Sequence, residues 1–65
     1  NILMKFNCLF INKRTNERKT KEFTKEEIDK YLGEYVTERA IERGQTNTTV
    51  MKKGDAYKVQ VKYIK

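Results

Sequence analysis

The sequence predicts a small α+β domain in which one amphipathic helix packs on one face of a four-stranded sheet. Two observations carry this prediction. The two ends of the chain show the apolar alternation of strands, and residues 23–44 between them show helical periodicity with capping signals at both ends. The expected order is β-β-α-β-β. Sixty-five residues form a single domain, residues 1–65, and a natural start at Met4 would make residues 1–3 an addition.

Capping signals in the sequence mark both ends of the central helix. Thr24 is a good N-cap, and Glu27 three residues later completes a capping box. Phe23 and Ile28 have the spacing of a hydrophobic staple across that cap. Gly44 stands where a left-handed residue ends a helix. The apolar stripe of the helix consists of Ile28, Tyr31, Leu32, Tyr35 and Val36.

Two hairpins flank the helix. Strands are expected over 3–12 and 17–23, and again over 46–52 and 56–65. The first and last strands are the most apolar, so burial places them in the middle of the sheet. This gives the strand order 2-1-4-3, with a parallel central pair and therefore a mixed sheet. The predicted core consists of Phe6, Phe10, Ile28, Leu32, Tyr35, Val36, Val59 and Val61.

The residue types argue against catalysis and against bound cofactors. The chain has no histidine, so it lacks the usual general base near neutral pH and the commonest zinc ligand. Cys8, the only cysteine, falls on the apolar face of a strand and is expected to be an inert core residue. No phosphate-binding loop motif is present. The longest apolar run near the N-terminus is far too short to cross a bilayer, and the expected location is the cytoplasm.

The distribution of charge favours a polyanionic partner. The net charge is +6, and it divides into +4 for residues 1–23, −2 for residues 24–44 and +4 for residues 45–65. The helix is therefore acidic, whereas both hairpins are basic. A basic sheet face with interleaved polar groups is able to follow a phosphate backbone. The candidate nucleic-acid-binding residues are Lys5, Lys19, Lys21, Lys58 and Lys62.

The alternative function is a protein-interaction module that acts through the acidic helix, such as a small phage-type modulator of a host protein. The composition, rich in Lys, Asn, Thr and Ile, is typical of phage and prophage genes from AT-rich genomes. The glutamates of the helix form a row along one flank. Such a row diverges instead of converging on a metal ion, so no metal site is expected.

Self-association is the expected oligomeric behaviour. One helix is about 10–12 Å wide with its side chains, whereas four strands span roughly 19 Å, so apolar surface remains to be covered. Arg39 interrupts the apolar stripe, and Ile41 points away from it. A two-fold homodimer through the C-terminal half of the helix would use both features. The candidate interface residues are Glu38, Arg39, Ile41 and Glu42.

Overall fold

A computed structural model describes residues 4–65, and the expectation about residues 1–3 lies outside this range. Two hairpins are joined by a pair of short helices. Over residues 4–65 the elements are β1 Lys5–Asn12, β2 Arg18–Thr24, α1 Lys25–Tyr31, α2 Glu34–Arg43, β3 Gln45–Lys52 and β4 Asp55–Ile64. Together they form the expected α+β fold. Within residues 4–65 there is no helix with the length and apolar character needed to cross a membrane.

The four strands form one sheet in the order β2-β1-β4-β3, which confirms the predicted order. The expected parallel pairing of the central strands is wrong, because β1 and β4 run antiparallel with Cys8 opposite Val61. Every pairing in the sheet is antiparallel. The sheet is therefore not mixed, and the direction of the central pair depends on how the helical segment connects the two hairpins.

The expected single helix is also wrong, since the helical segment breaks at Gly33. The backbone of Gly33 has φ 102° and ψ 152°, a conformation that essentially only glycine adopts. The amide of Gly33 bonds to the carbonyl of Ile28 at 3.0 Å, five residues back, and ends α1. The Gly33 carbonyl then accepts from the amide of Val36 at 3.1 Å as α2 begins. The periodicity of the sequence continues through the break and conceals it.

This break explains the antiparallel central pair. A straight helix of 20 residues would cover about 30 Å and deliver the chain to the opposite end of the sheet. Because the chain turns at Gly33, it returns to the end from which it left. Thr24 pairs with Lys5 there, and Gln45 pairs with Lys62 at the same end. Strand β3 therefore starts where β2 finishes, which reverses the direction expected for the second hairpin.

The predicted ends of the helical segment are confirmed. The amide of Glu27 donates to Thr24 Oγ1 at 3.3 Å, and the Thr24 amide donates to Glu27 Oε1 at 3.0 Å. Gly44 adopts the left-handed conformation with φ 84°. Its carbonyl accepts from the amide of Tyr63 at 2.9 Å, which ties the end of α2 to β4. The segment is thus fixed to the sheet at both of its outer ends.

The core lies between the helices and one end of the sheet. Seven of the eight predicted core residues contribute to it. Four of them, on the sheet or α1, have at most 1% exposure: Phe6, Ile28, Val59 and Val61. Val36 is buried, whereas Phe10 and Leu32 are only half-buried. Cys8 is fully buried, as expected, and this burial raises the pKa of its thiol to about 11.

Tyr35 is a wrong core assignment, because its side chain is 63% exposed. Because of the break at Gly33, α2 is rotated about its axis relative to the orientation that it would have as a continuation of α1. The buried face of α2 is formed by Val36, Thr37 and Ala40, and Ile41 packs against the core instead of pointing outward. A single apolar stripe does not continue from α1 into α2, which is why the sequence pattern misassigned these positions.

A buried hydroxyl joins the two helices. Thr37 is 1% exposed, and its Oγ1 donates a hydrogen bond to the carboxylate of Asp29 in α1. Lys25 Nζ also donates to this carboxylate at 2.8 Å. The hydrogen bond from Lys25, and to a smaller extent that from Thr37, lowers the pKa of Asp29 below its usual value. The angle between the helices is therefore supported by a specific polar contact as well as by packing.

Candidate nucleic-acid interface

The sheet has an outer face, turned away from the helices, on which basic side chains collect. Lys5, Lys58 and Lys62 lie there, as expected, because they alternate along β1 and β4 with residues whose side chains are buried on the helix side. Strand β2 adds Arg18, which pairs with Ile11 of the same face. All four basic side chains belong to exposed residues. The outer face is thus a continuous surface with four cations.

Strand register fixes how these cations are arranged. Ile11 lies between Arg18 on one side and Lys58 on the other. Lys58 and Lys62 are four positions apart, which corresponds to about 13–14 Å along the strand. Arg18 and Lys58 therefore share one row of the sheet, whereas Lys5 and Lys62 lie in two other rows, so the four cations occupy three rows. They are spread over three strands instead of forming one compact cluster, an arrangement that suits an extended polyanion better than a small one.

One ion pair lies on this face within the described residues. Lys5 Nζ is 3.6 Å from Glu22 Oε1, and both side chains are more than half exposed. A solvent-exposed pair of this kind is weak and is screened by salt. Lys5 is therefore partly neutralised at low salt, whereas Lys58 and Lys62 retain their charge for an external partner.

Polar side chains fill the positions between the cations. Asn7 lies opposite Lys62, and Gln60 lies between Leu9 and Asn47 in the next row. Amide side chains can donate hydrogen bonds to phosphate oxygens without reading base sequence. No aromatic side chain of β1 to β4 within residues 4–65 points to this face. The surface is suited to a phosphate backbone and lacks the rings on which bases stack.

Lys19 and Lys21 are not part of this face. Phe23 is buried under the helices, so Lys19 and Lys21, which alternate with it, point to the helix side of the sheet. The structure thus divides the five candidate lysines into a set of three and a set of two. The same alternation indicates that Arg18 faces outward. The sequence contained this signal in the position of Phe23, and the candidate set omitted Arg18.

The helix side of the sheet has an open groove beside the helices. The helices cover the end of the sheet near Lys5, and the half toward the strand-connecting turns is left open. The groove has a volume of about 670 Å³. Its floor contains Phe10, Val50 and Tyr57, and Tyr31 and Leu32 of the helical segment form part of its wall. Lys19, Lys21 and Lys52 border it on the two edge strands.

A polar network holds the turns at the far end of this groove. Asn12 is only 6% exposed, and its Oδ1 accepts from the amide of Arg14 at 2.9 Å. Its Nδ2 donates to Asp55 Oδ2 at 3.2 Å and to the hydroxyl of Tyr57 at 3.3 Å. Arg14 binds both oxygens of Asp55. The hydrogen bond from Arg14, and to a smaller extent that from Asn12, lowers the pKa of Asp55 below its usual value.

Because of the break at Gly33, the candidate interface residues of α2 do not all point the same way. Arg39 stacks on Tyr35, with its guanidinium carbon 4.6 Å from the ring centroid. Ile41 is half-buried against the core, so it is not an outward anchor. Glu38 and Glu42 are exposed. These four residues therefore do not form one apolar contact surface, and the exposed ring of Tyr35 with the half-buried Arg39 stacked on it lies beside the two glutamates.

The acidic side chains of the helices have different structural roles. Glu27 completes the cap of α1, and Asp29 joins the helices through Thr37. Across residues 4–65, no three Asp, Glu, Cys or His side chains come together as metal ligands. The row of exposed glutamates is thus one residue shorter than the sequence indicates, because Glu27 is used in the cap.

No family model matches the sequence, and comparisons with curated proteins and with solved structures give no match either. The outer face and the groove, through their geometry and charge, are therefore the features of the molecule that bear on its function.

Proposed function

We propose that this protein is a non-enzymatic nucleic-acid-binding protein that contacts the phosphate backbone through the outer face of its sheet. The observation that carries the proposal is the placement of Lys5, Lys58, Lys62 and Arg18 on one exposed face of three strands. Neutralising phosphates with such cations releases counterions and provides sequence-independent affinity. The amide side chains between the cations supply further phosphate contacts.

We expect charge reversal on this face to weaken binding to duplex DNA and to flatten its salt dependence. The double variant Lys58→Glu and Lys62→Glu removes two phosphate contacts, and each contact contributes about 0.9 to the slope of log affinity against log salt. The slope should therefore fall by roughly 1.8. Fluorescence anisotropy with a labelled duplex, titrated at several salt concentrations, measures this change.

The matched control reverses two cations on the helices. Lys30→Glu with Arg43→Glu brings the net charge from +6 to +2, the same change as the outer-face variant. Both control residues are exposed, so neither variant disturbs the core. A local site predicts that only the outer-face variant loses affinity. Equal losses in both variants would point to net charge alone, and undetectable binding of the unmodified protein at low salt would overturn the proposal.

Self-association is a second element of the proposed function, and the edge of β3 favours it. The other edge strand, β2, carries Arg18, Lys19, Lys21 and Glu22, charges of the kind that prevent strand pairing. In contrast, β3 has no charged residue from Gln45 to Met51. Two copies with net charge +6 repel each other least at this uncharged edge. Antiparallel pairing of β3 with its copy would give a two-fold dimer with a continuous sheet.

We expect the chain to sediment as a dimer, with about twice the 7.8 kDa chain mass, at high micromolar concentration. Thr49→Lys should shift the equilibrium to the monomer, because a two-fold axis places the new charges close together. Thr20→Lys is the control, since it adds the same charge at an exposed position of β2. A constant mass of 7.8 kDa, or equal effects of both variants, would contradict the assignment to β3.

A further inference from the structure

We infer that the groove between the helices and the open half of the sheet binds unpaired nucleobases, which makes single-stranded nucleic acid the preferred form of the partner. The inference rests on the proposed function for the class of partner, and it adds a second site on the opposite side of the sheet. This site is formed by Phe10, Tyr31 and Tyr57, with cations at both edges.

Aromatic side chains form one side of the groove. The rings of Phe10 and Phe23 meet edge to face, with centroids 6.0 Å apart, and Phe23 lies 6.2 Å from Tyr31. Tyr31 is 66% exposed, so the outer part of its ring is open to a ligand. Bases stack on such rings without sequence preference because every base has a π-face. The row thus offers the exposed ring of Tyr31, supported by the buried ring of Phe23 and, beyond it, the half-buried ring of Phe10.

The floor of the groove is held in place before any ligand binds. Phe10 and Tyr57 are half-buried, and the Tyr57 hydroxyl accepts a hydrogen bond from Asn12. Asn12 is itself held by the turn and by Asp55. A preorganised surface avoids the entropic cost of ordering side chains when a ligand binds. The volume of about 670 Å³ lies within the range of ordinary ligand sites.

Three lysines and two glutamates, Glu17 and Glu27, line the groove, and the lysines lie at its edges, where they can contact a phosphate backbone. Lys19 and Lys21 lie on β2, and Lys52 lies at the end of β3 across the sheet. Lys21 Nζ is 5.3 Å from the centroid of the Phe23 ring, which places a cation directly beside the aromatic row. A basic groove with rings along it is the combination that binds single strands. It also gives Lys19 and Lys21, which are excluded from the outer face, a place in nucleic-acid binding.

The decisive comparison is between two tyrosines of equal exposure. Tyr31 borders the groove and is 66% exposed, whereas Tyr35 is 63% exposed and is absent from the groove lining. With a fluorescein-labelled oligothymidylate as the probe, Tyr31→Ala should weaken binding about five- to a hundredfold, the range for loss of one stacked base. Tyr31→Phe should retain most of the affinity, and Tyr35→Ala should leave it unchanged.

Charge reversals separate this site from the outer face. Lys19→Glu with Lys21→Glu should weaken oligothymidylate binding more than duplex binding, and Lys58→Glu with Lys62→Glu should do the reverse. Circular dichroism of each variant confirms that it is folded. Oligothymidylate affinity that does not respond to Tyr31→Ala would overturn the inference, and this result is expected if the groove instead accepts apolar side chains of another protein or of a second copy.

The outcomes also distinguish this inference from the proposed function. If duplex binding depends on Lys58 and Lys62 but single-strand binding is unchanged by Tyr31→Ala, only the groove inference is overturned. Single-strand binding that depends on Tyr31, together with full insensitivity to Lys58 and Lys62, overturns the outer face alone. Failure of the protein to bind either probe at low salt overturns both.

Discussion

Phe6→Ala is expected to remove a large part of the unfolding free energy of the domain. Phe6 is fully buried at the centre of the covered half of the sheet, with its ring centroid 5.3 Å from that of Tyr63. Truncating a buried phenylalanine costs about 3–5 kcal/mol. A 65-residue domain has a total unfolding free energy of roughly 3–10 kcal/mol, so this single change removes much or all of it. Urea titration followed by circular dichroism measures the loss.

Two comparison variants show whether the effect comes from burial. Met51→Ala removes a side chain that is 69% exposed, and it should change the unfolding free energy by less than about 0.5 kcal/mol. Leu32→Ala should have an intermediate effect, because Leu32 is half-buried at the wall of the groove. If Phe6→Ala unfolded at the same urea concentration as Met51→Ala, the assignment of the core would be wrong.

Gly33→Ala is expected to destabilise the domain by about 1–3 kcal/mol, the cost of a side chain in a backbone conformation reserved for glycine. An added Cβ would have no heavy atom within 4 Å, so the cost comes from the backbone and not from a steric clash with other parts of the fold. The sign of the effect is informative. In a continuous helix, alanine in place of glycine would stabilise by about 1 kcal/mol.

A second glycine provides the control for this prediction. Gly44 has φ 84° and ψ −24°, the left-handed conformation that asparagine tolerates at the end of a helix. Gly44→Asn should therefore cost less than Gly33→Ala, although both glycines have positive φ. Urea titration of the two variants gives this comparison, and stabilisation by Gly33→Ala would mean that α1 and α2 are one helix in solution.

Local signals determined much of the fold. The capping box at Thr24 and Glu27 is a short-range interaction, and it formed as the sequence indicated. The alternation around Val59 and Val61 also predicts their burial, because neighbouring residues of a strand point to opposite faces. The contrast between apolar and polar strands was sufficient to predict the order 2-1-4-3, since burial favours apolar strands in the centre.

The helix break and its consequences could not be predicted from local sequence patterns. Gly33 can be tolerated inside a helix at a modest cost, so its presence did not reveal the break between α1 and α2. The consequences extend through the molecule: the central strands become antiparallel, and Tyr35 leaves the core for solvent. A single backbone conformation thus decided the strand direction and the exposed aromatic surface.

The basic strands of the candidate sites, and the alternation that orients their side chains, can be predicted from the amino-acid pattern alone. The tertiary structure decided how these elements are combined. Strand pairing brings Arg18 to the same face as Lys58, and the short, folded-back helices leave the far half of the sheet open beside Lys19 and Lys21. Alternation determines the face of a side chain within its own strand, because successive residues point to opposite sides. What covers that face depends on contacts between residues distant in the chain.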